Sequence, residues 1–193
     1  DAHFFTDGDN LQLGNSLLKI LTKKEKAEGK AWHPKFGIYP REFKYTSGII
    51  NTGQSFRQKY GLFRAKVKLS RAANLRHSFW LVQDQILPEV DVFHFSGKNA
   101  RKVELGRYSG DYKDKKNLRI NRSFIKGPNF TNRFFIFSLY WQPDKLVWKI
   151  NGITVRKVKS HIPAEAMYMI LNSGLNENVE NIDLSNIYYI DDS

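Results

Sequence analysis

Residues 62–69 alternate without a break: Phe63, Ala65, Val67 and Leu69 are apolar, while Arg64, Lys66 and Lys68 are basic. A period of two describes a strand with one face in a core and the other in water. The same grammar recurs along the chain, and this limits what it can fold into. Residues 43–51, 74–82, 101–108, 118–124, 134–141, 146–150, 154–158, 167–171 and 187–190 are runs rich in β-branched and aromatic side chains. Turn chemistry separates the later runs, at Gly110-Asp111, Gly127-Pro128, Pro143-Asp144 and Asn151-Gly152. Both residues of Asn151-Gly152 tolerate the positive φ that a type I′ hairpin turn requires. Residues 10–22 read as a further hairpin, turning at Gly14-Asn15. Residues 23–41 carry Gly29, Pro34, Gly37 and Pro40 with no apolar periodicity and read as a long loop. Its Trp32, His33, Phe36 and Tyr39 either overhang a cleft or pack the loop onto the domain. A dozen strands without a helix mean an all-β two-sheet sandwich or a barrel. At 193 residues the chain is expected to form one domain, 1–193.

The basic balance, net charge +12, implies attraction to polyanions or a solvated basic surface. With no cysteine there are no disulfides, thiolate metal sites or cysteine nucleophiles. The five histidines are scattered without metal spacing. No apolar run reaches 18 residues, so no membrane span is expected. The sequence begins at Asp1, which leaves room for a targeting segment upstream. Nothing in it reads as a zinc finger, a helix-turn-helix or a phosphate-binding glycine loop, so nucleic acid is not the expected partner.

One strand carries chemistry. In Pro88-Glu89-Val90-Asp91-Val92-Phe93-His94-Phe95, two carboxylates two residues apart share one face of an apolar strand, with Val90 and Val92 on the other. Such a pair is either a solvated strand edge or a site whose acid-base work needs it.

Several segments together resemble family 16 of the glycoside hydrolases, the laminarinase, lichenase, agarase and carrageenase group. Tyr60-Gly61-Leu62-Phe63-Arg64-Ala65-Lys66-Val67-Lys68-Leu69 is similar to its Y-G-x-x-E/R-A-R-I-K-L segment, and Ser78-Phe79-Trp80-Leu81 to its A-F-W-L strand. Residues 137–152 resemble its L-E-W-T-P-D-x-I…D-G hairpin, residues 167–172 its M-x-L-I-L-N strand, and residues 45–52 the strand crossing ahead of the catalytic sheet. The resemblance implies a β jelly roll of the concanavalin A type, two curved antiparallel sheets with a concave glycan cleft. It also implies a retaining, endo-acting hydrolase of β-glucan or galactan, with E-[ILV]-D-x-x-E supplying nucleophile, helper and acid/base. Glu89 and Asp91 match the first two positions; His94 stands at the third.

A retaining glycosidase needs two carboxyls about 5 Å apart. In strict alternation residue 94 would face away from Glu89, and only a β-bulge near Val92-Phe93 would turn it back. On the cleft face, His94 would act as an imidazolium favoured by the neighbouring carboxylates, or pair with them and quiet them. Three readings follow: a hydrolase using His94, a hydrolase whose acid lies elsewhere, with Glu104 the candidate, or a catalytically impaired glycan-binding jelly roll. Trp80 and Trp141 are candidate sugar platforms or core residues, and Asn172 resembles the family's cleft asparagine. Other departures are Arg76 in place of a frequent Trp, Tyr140 in place of the Glu of L-E-W, and Ile49 where Arg is common. Arg76 and Arg107, with Arg101, Lys102, Lys113, Lys115, Lys116, Arg119, Arg122 and Lys126, point to a sulfated or uronic polysaccharide. The remaining expectations are a monomer, secreted or periplasmic, with no cofactor beyond a structural calcium ion that no motif locates.

Overall fold

The computed structural model describes residues 2–33, 35, 37–111, 116–175 and 188–191. Asp1, Pro34, Phe36, Lys113, Lys115 and residue 187, all within the readings above, lie outside them. Two antiparallel sheets face one another. The first has six strands: β8 (Ile49–Asn51), β10 (Leu75–Val82), β11 (Glu89–Ser96), β12 (Lys102–Ser109), β13 (Arg119–Lys126) and β17 (Tyr168–Leu175), in the order β13-β12-β11-β10-β17-β8. The second has seven: β2 (Leu11–Gly14), β3 (Leu17–Ile20), β9 (Gly61–Lys68), β14 (Phe135–Gln142), β15 (Lys145–Ile150), β16 (Ile153–Val158) and β18 (Tyr188–Asp191), in the order β16-β15-β14-β9-β18-β3-β2. A small sheet of β1 (Phe4–Phe5), β4 (Thr22–Lys23) and β7 (Thr46–Ser47) and a hairpin of β5 (Ala27–His33) and β6 (Gly37–Phe43) complete the architecture. This is the all-β sandwich expected of the sequence.

The period-two pattern fixes which face of each strand is buried. Phe63, Ala65 and Val67 of β9, Phe79 and Leu81 of β10, Val90, Phe93 and Phe95 of β11, and Phe137, Leu139 and Trp141 of β14 form one core between the sheets. The basic alternates Arg64, Lys66 and Lys68 lie on the outer face of the seven-stranded sheet. Asn151 and Gly152 both have positive φ, 48° and 81°, and close the β15–β16 hairpin as a type I′ turn. The first hairpin turns one residue later than expected, at Asn15 and Ser16, with φ of 53° and 56°.

The expected loop over residues 23–41 is instead mostly the β5–β6 hairpin, paired from Ala27↔Phe43 to His33↔Gly37. Its more buried side is made of Ala27, Gly29, Ala31 and His33. Side chains this small leave no hydrophobic period to read. They are small because the hairpin packs closely: a Cβ on Gly29 would collide with the ring of Phe4.

Two sequence candidates belong to the interior. Trp141 is 1% exposed, packs against Tyr60 and Phe63, and donates its indole N–H to the carbonyl of Pro163 at 3.0 Å. It presents no face to a sugar, because its strand position points into the sandwich. Arg107 is 4% exposed on the inner face of β12, beside Val90, and donates to the carbonyls of Ser160 and His161. Its guanidinium ties a loop to the sheet and is not available to a ligand.

Candidate functional site

The face of the six-stranded sheet turned away from the core is a lattice of side chains that can be read from the cross-strand pairs, since residues directly opposite share a face. Glu89 pairs with Tyr108, and Asp91 with Gly106. The next pair on this face is His94 with Glu104, so three residues of β11 span two of β12. The extra residue is a bulge at Val92-Phe93, mirrored on the other side where the β10 register shifts between Phe79 and Trp80. It turns Phe93 into the core and brings His94 onto the face of Glu89 and Asp91.

The bulge is held from behind. Trp148 of β15, fully buried, donates its indole N–H to the backbone carbonyl of Asp91 at 2.8 Å, where the ladder is broken. Arg156 stacks on that indole, 4.8 Å from its centroid, and donates to the carbonyls of Leu105 at 2.5 Å and Asn121 at 3.0 Å. The sequence offered Trp148 only as a strand residue. Its role depends on a long-range contact that no local pattern announces.

Asp91 is 1% exposed. Burial, then the charge of Glu89 and a hydrogen bond to it, pushes its carboxyl well above the usual aspartate range; a hydrogen bond from Tyr108 works the other way. Asp91 is therefore suited to hold a proton toward Glu89. Gly106 makes room for it, since a Cβ there would collide with the Asp91 carboxylate. Tyr108, opposite Glu89, has its phenol pushed up by burial and then by Asp91, and so stays a neutral donor.

His94 departs from the sequence expectation. Burial lowers its pKa, Glu104 pulls it upward, and Arg76 lowers it further, with a net downward shift. The desolvation of the half-buried imidazole outweighs the carboxylate opposite, so neutral imidazole is the resting form at neutral pH. Glu104 itself is engaged by Arg122 at 3.3 Å.

Trp80 lies beside Asp91 in the register, half-buried on this same face, and donates to Asn172 Oδ1 at 3.1 Å. The two candidate sugar contacts thus orient one another. Arg76 lies four residues along β10, opposite Ser96, and lines a cavity of about 340 Å³ with His94, Lys98, Lys102 and Glu104. Phe124, opposite Glu104 and 52% exposed, is an aromatic on this face that the sequence reading missed. Its even position, between Arg122 and Lys126 along the strand, was the available signal. Among the described residues no group of three His, Asp or Glu side chains could hold a metal ion. No helix among them is long and apolar enough to cross a membrane.

The fold is similar to solved enzymes over nearly its whole length. The laminarinase catalytic domain of Thermotoga maritima MSB8 superposes with a TM-score of 0.78 at 20% identity, covering 99% of this chain and 81% of that one. The kappa-carrageenase of Pseudoalteromonas carrageenovora gives 0.77 at 18% identity, covering 96% and 81%. In sequence, the endo-1,3-1,4-beta-glycanase ExsH of Rhizobium meliloti (strain 1021) is 24% identical over 136 residues, 67% of this chain. The glucan endo-1,3-beta-glucosidase A1 of Niallia circulans is 25% identical over 126 residues, 61% of this chain. The matched stretches make up 28% and 18% of those two relatives' own lengths. Residues 2–181 match the family model described as glycosyl hydrolases family 16, and with that match spanning β1 to β17, the strand of Glu89, Asp91 and His94 among them, the chain belongs to this family.

Proposed function

We propose that the protein cleaves internal β-glycosidic bonds of a polysaccharide with retention, Glu89 acting as nucleophile, Asp91 as its proton-holding helper and His94 as acid/base. The observation that carries this reading is the single-residue bulge that turns His94 onto the face of Glu89 and Asp91. In the first step Glu89 attacks the anomeric carbon while the imidazolium of His94 gives its Nε2 or Nδ1 proton to the leaving oxygen. In the second, the now neutral imidazole takes a proton from water as that water displaces Glu89. The lowered proton affinity of His94 suits the second step at neutral pH and the first at acidic pH. Trp80, steadied by Asn172, offers an aromatic face to a pyranose ring.

A polymeric substrate fits a protein that works outside the cytoplasm, secreted or periplasmic, as a monomer. A second reading, catalytically impaired glycan binding, is favoured by one observation: burial and Arg76 both disfavour the proton on His94 that the first step requires. Incubation with a panel of neutral and sulfated β-glucans and galactans, following reducing ends, separates the two. Turnover supports the hydrolase. Saturable binding without turnover at any pH supports the second reading.

A further inference from the structure

We propose that the cleft face carries an oxyanion track, and that the polysaccharide lying on it is acidic, bearing sulfate ester or uronate groups. This rests on the reading of the face as a glycan cleft. The pairing register sets out rows of side chains across the sheet. One row holds Lys126 opposite Lys102, and Arg76 opposite both Ser96 and Gly174; continuing the β11–β12 register brings Lys102 beside Ser96. It spans five strands, four intervals of about 4.8 Å or roughly 19 Å, the scale of an oligosaccharide rather than of one sugar. The adjoining row contains Phe124, Glu104, His94, Ser78 and Asn172. The cations therefore run beside the proposed acid/base, one two-residue step away along the strands.

Three cavities follow this row. The one at Arg76, Lys98 and Lys102, about 340 Å³, shares Asn99 with a second of about 450 Å³ that is lined by Arg101 and Lys126. At the other end His3 closes over Gly174, where a Cβ would come within 2.7 Å of its ring. His3 also lines a third cavity, about 460 Å³, with Lys30, Trp32 and Arg41 of the hairpin. Among the described residues, the only carboxylate lining any of the three is Glu104, and Arg122 engages it at 3.3 Å. Two lysines placed directly opposite one another repel, and a sheet keeps such a pair at a cost in stability unless an anion lies between them. Here the Lys102 ammonium sits 3.8 Å from the Phe124 ring centroid, so the charge is held at an aromatic surface suited to a sugar ring. Trp32, 70% exposed at the far end, offers a second such surface. Cations alternating with aromatic faces beside His94 match ring substituents of a glycan, which is why a polysaccharide is preferred to nucleic acid.

The test is calorimetric titration of the Glu89→Gln protein, in which hydrolysis is blocked, at low and moderate salt. The probes are a sulfated galactan oligosaccharide, the same oligosaccharide chemically desulfated, a polyuronate oligosaccharide, a neutral β-glucan oligosaccharide and a DNA duplex. The sulfated or the uronate probe is expected to bind at least tenfold more tightly than the desulfated one, with the advantage shrinking as salt rises; which of the two wins identifies the oxyanion. Lys102→Ala/Lys126→Ala is expected to remove that advantage without lowering the melting temperature. Lys66→Ala/Lys68→Ala, which loses the same charge from the outer face, is expected to keep it. Neither the sulfated nor the uronate probe binding more tightly than the desulfated one, or equal losses in the two double variants, overturns the track and leaves the glycan cleft standing. Binding to none of the glycans overturns both. Duplex DNA binding more tightly than every glycan overturns the track and reassigns the row to nucleic acid.

Discussion

Replacing Asp91 by asparagine is expected to stabilise the fold at neutral pH while impairing the site. The Asp91 carboxyl is 1% exposed, and burial followed by the charge of Glu89 raises its pKa well above the usual 3.8. In the unfolded chain it ionises at its ordinary value. Between the two pKa values the native state therefore holds a proton that the unfolded state has released, and stability falls as pH rises through that window. Asparagine has the same shape and donates an N–H toward Glu89 as the protonated acid does, without that dependence. Relieving a buried, poorly compensated polar group is worth about 1–3 kcal/mol. For a chain of this length that is a rise of about 2–12 °C in melting temperature. The advantage should be present near neutral pH and absent below about pH 3.8, where both states hold the proton. Thermal melts of both proteins at several pH values measure it. An asparagine variant less stable than wild type at pH 7, or a difference independent of pH, would refute the reasoning.

Four further outcomes are expected. His3 and His77 are buried with pKa values lowered to about 4 and about 3, so stability should fall as pH drops below 6.5 toward those values; His77→Phe should flatten that fall in pH-dependent melts. Trp141→Ala should cost about 3–5 kcal/mol in chemical denaturation, whereas Trp80→Ala should cost less and instead weaken glycan binding in titration. Trp148→Phe removes the hydrogen bond to the Asp91 carbonyl and should cost about 1–3 kcal/mol. The same variant should lower kcat more than it raises KM, since the bulge is displaced while the cleft face remains, and steady-state kinetics separate the two.

Much of the sandwich was legible because each half-buried strand carries its face in its alternation. Residues 62–69 announced both the core row of Phe63, Ala65 and Val67 and the basic outer row. The β5–β6 hairpin was not legible, because Ala27, Gly29 and Ala31 pack by close approach and not by bulk. In the site, Glu89 and Asp91 could be placed together from their spacing, and the need for a bulge could be stated, but whether His94 turned inward depended on the register with β12. Trp141 stays open between platform and core in the sequence, because a tryptophan beside a turn looks the same whether it faces a cleft or a core. The resting charge of His94 was misjudged for a related reason: sequence shows neighbouring carboxylates but not the burial that outweighs them.

The central claim is that His94 is the acid/base partner of Glu89. Reducing-end release by wild type and by His94→Ala, followed from about pH 4 to pH 8, tests it most directly. Wild-type turnover is expected to rise as pH falls below the imidazole range. His94→Ala is expected to lose about 10²- to 10⁴-fold together with that pH dependence. An alanine variant with the wild-type rate and profile, or a wild type that binds glycan and turns over none at any pH, would contradict the account.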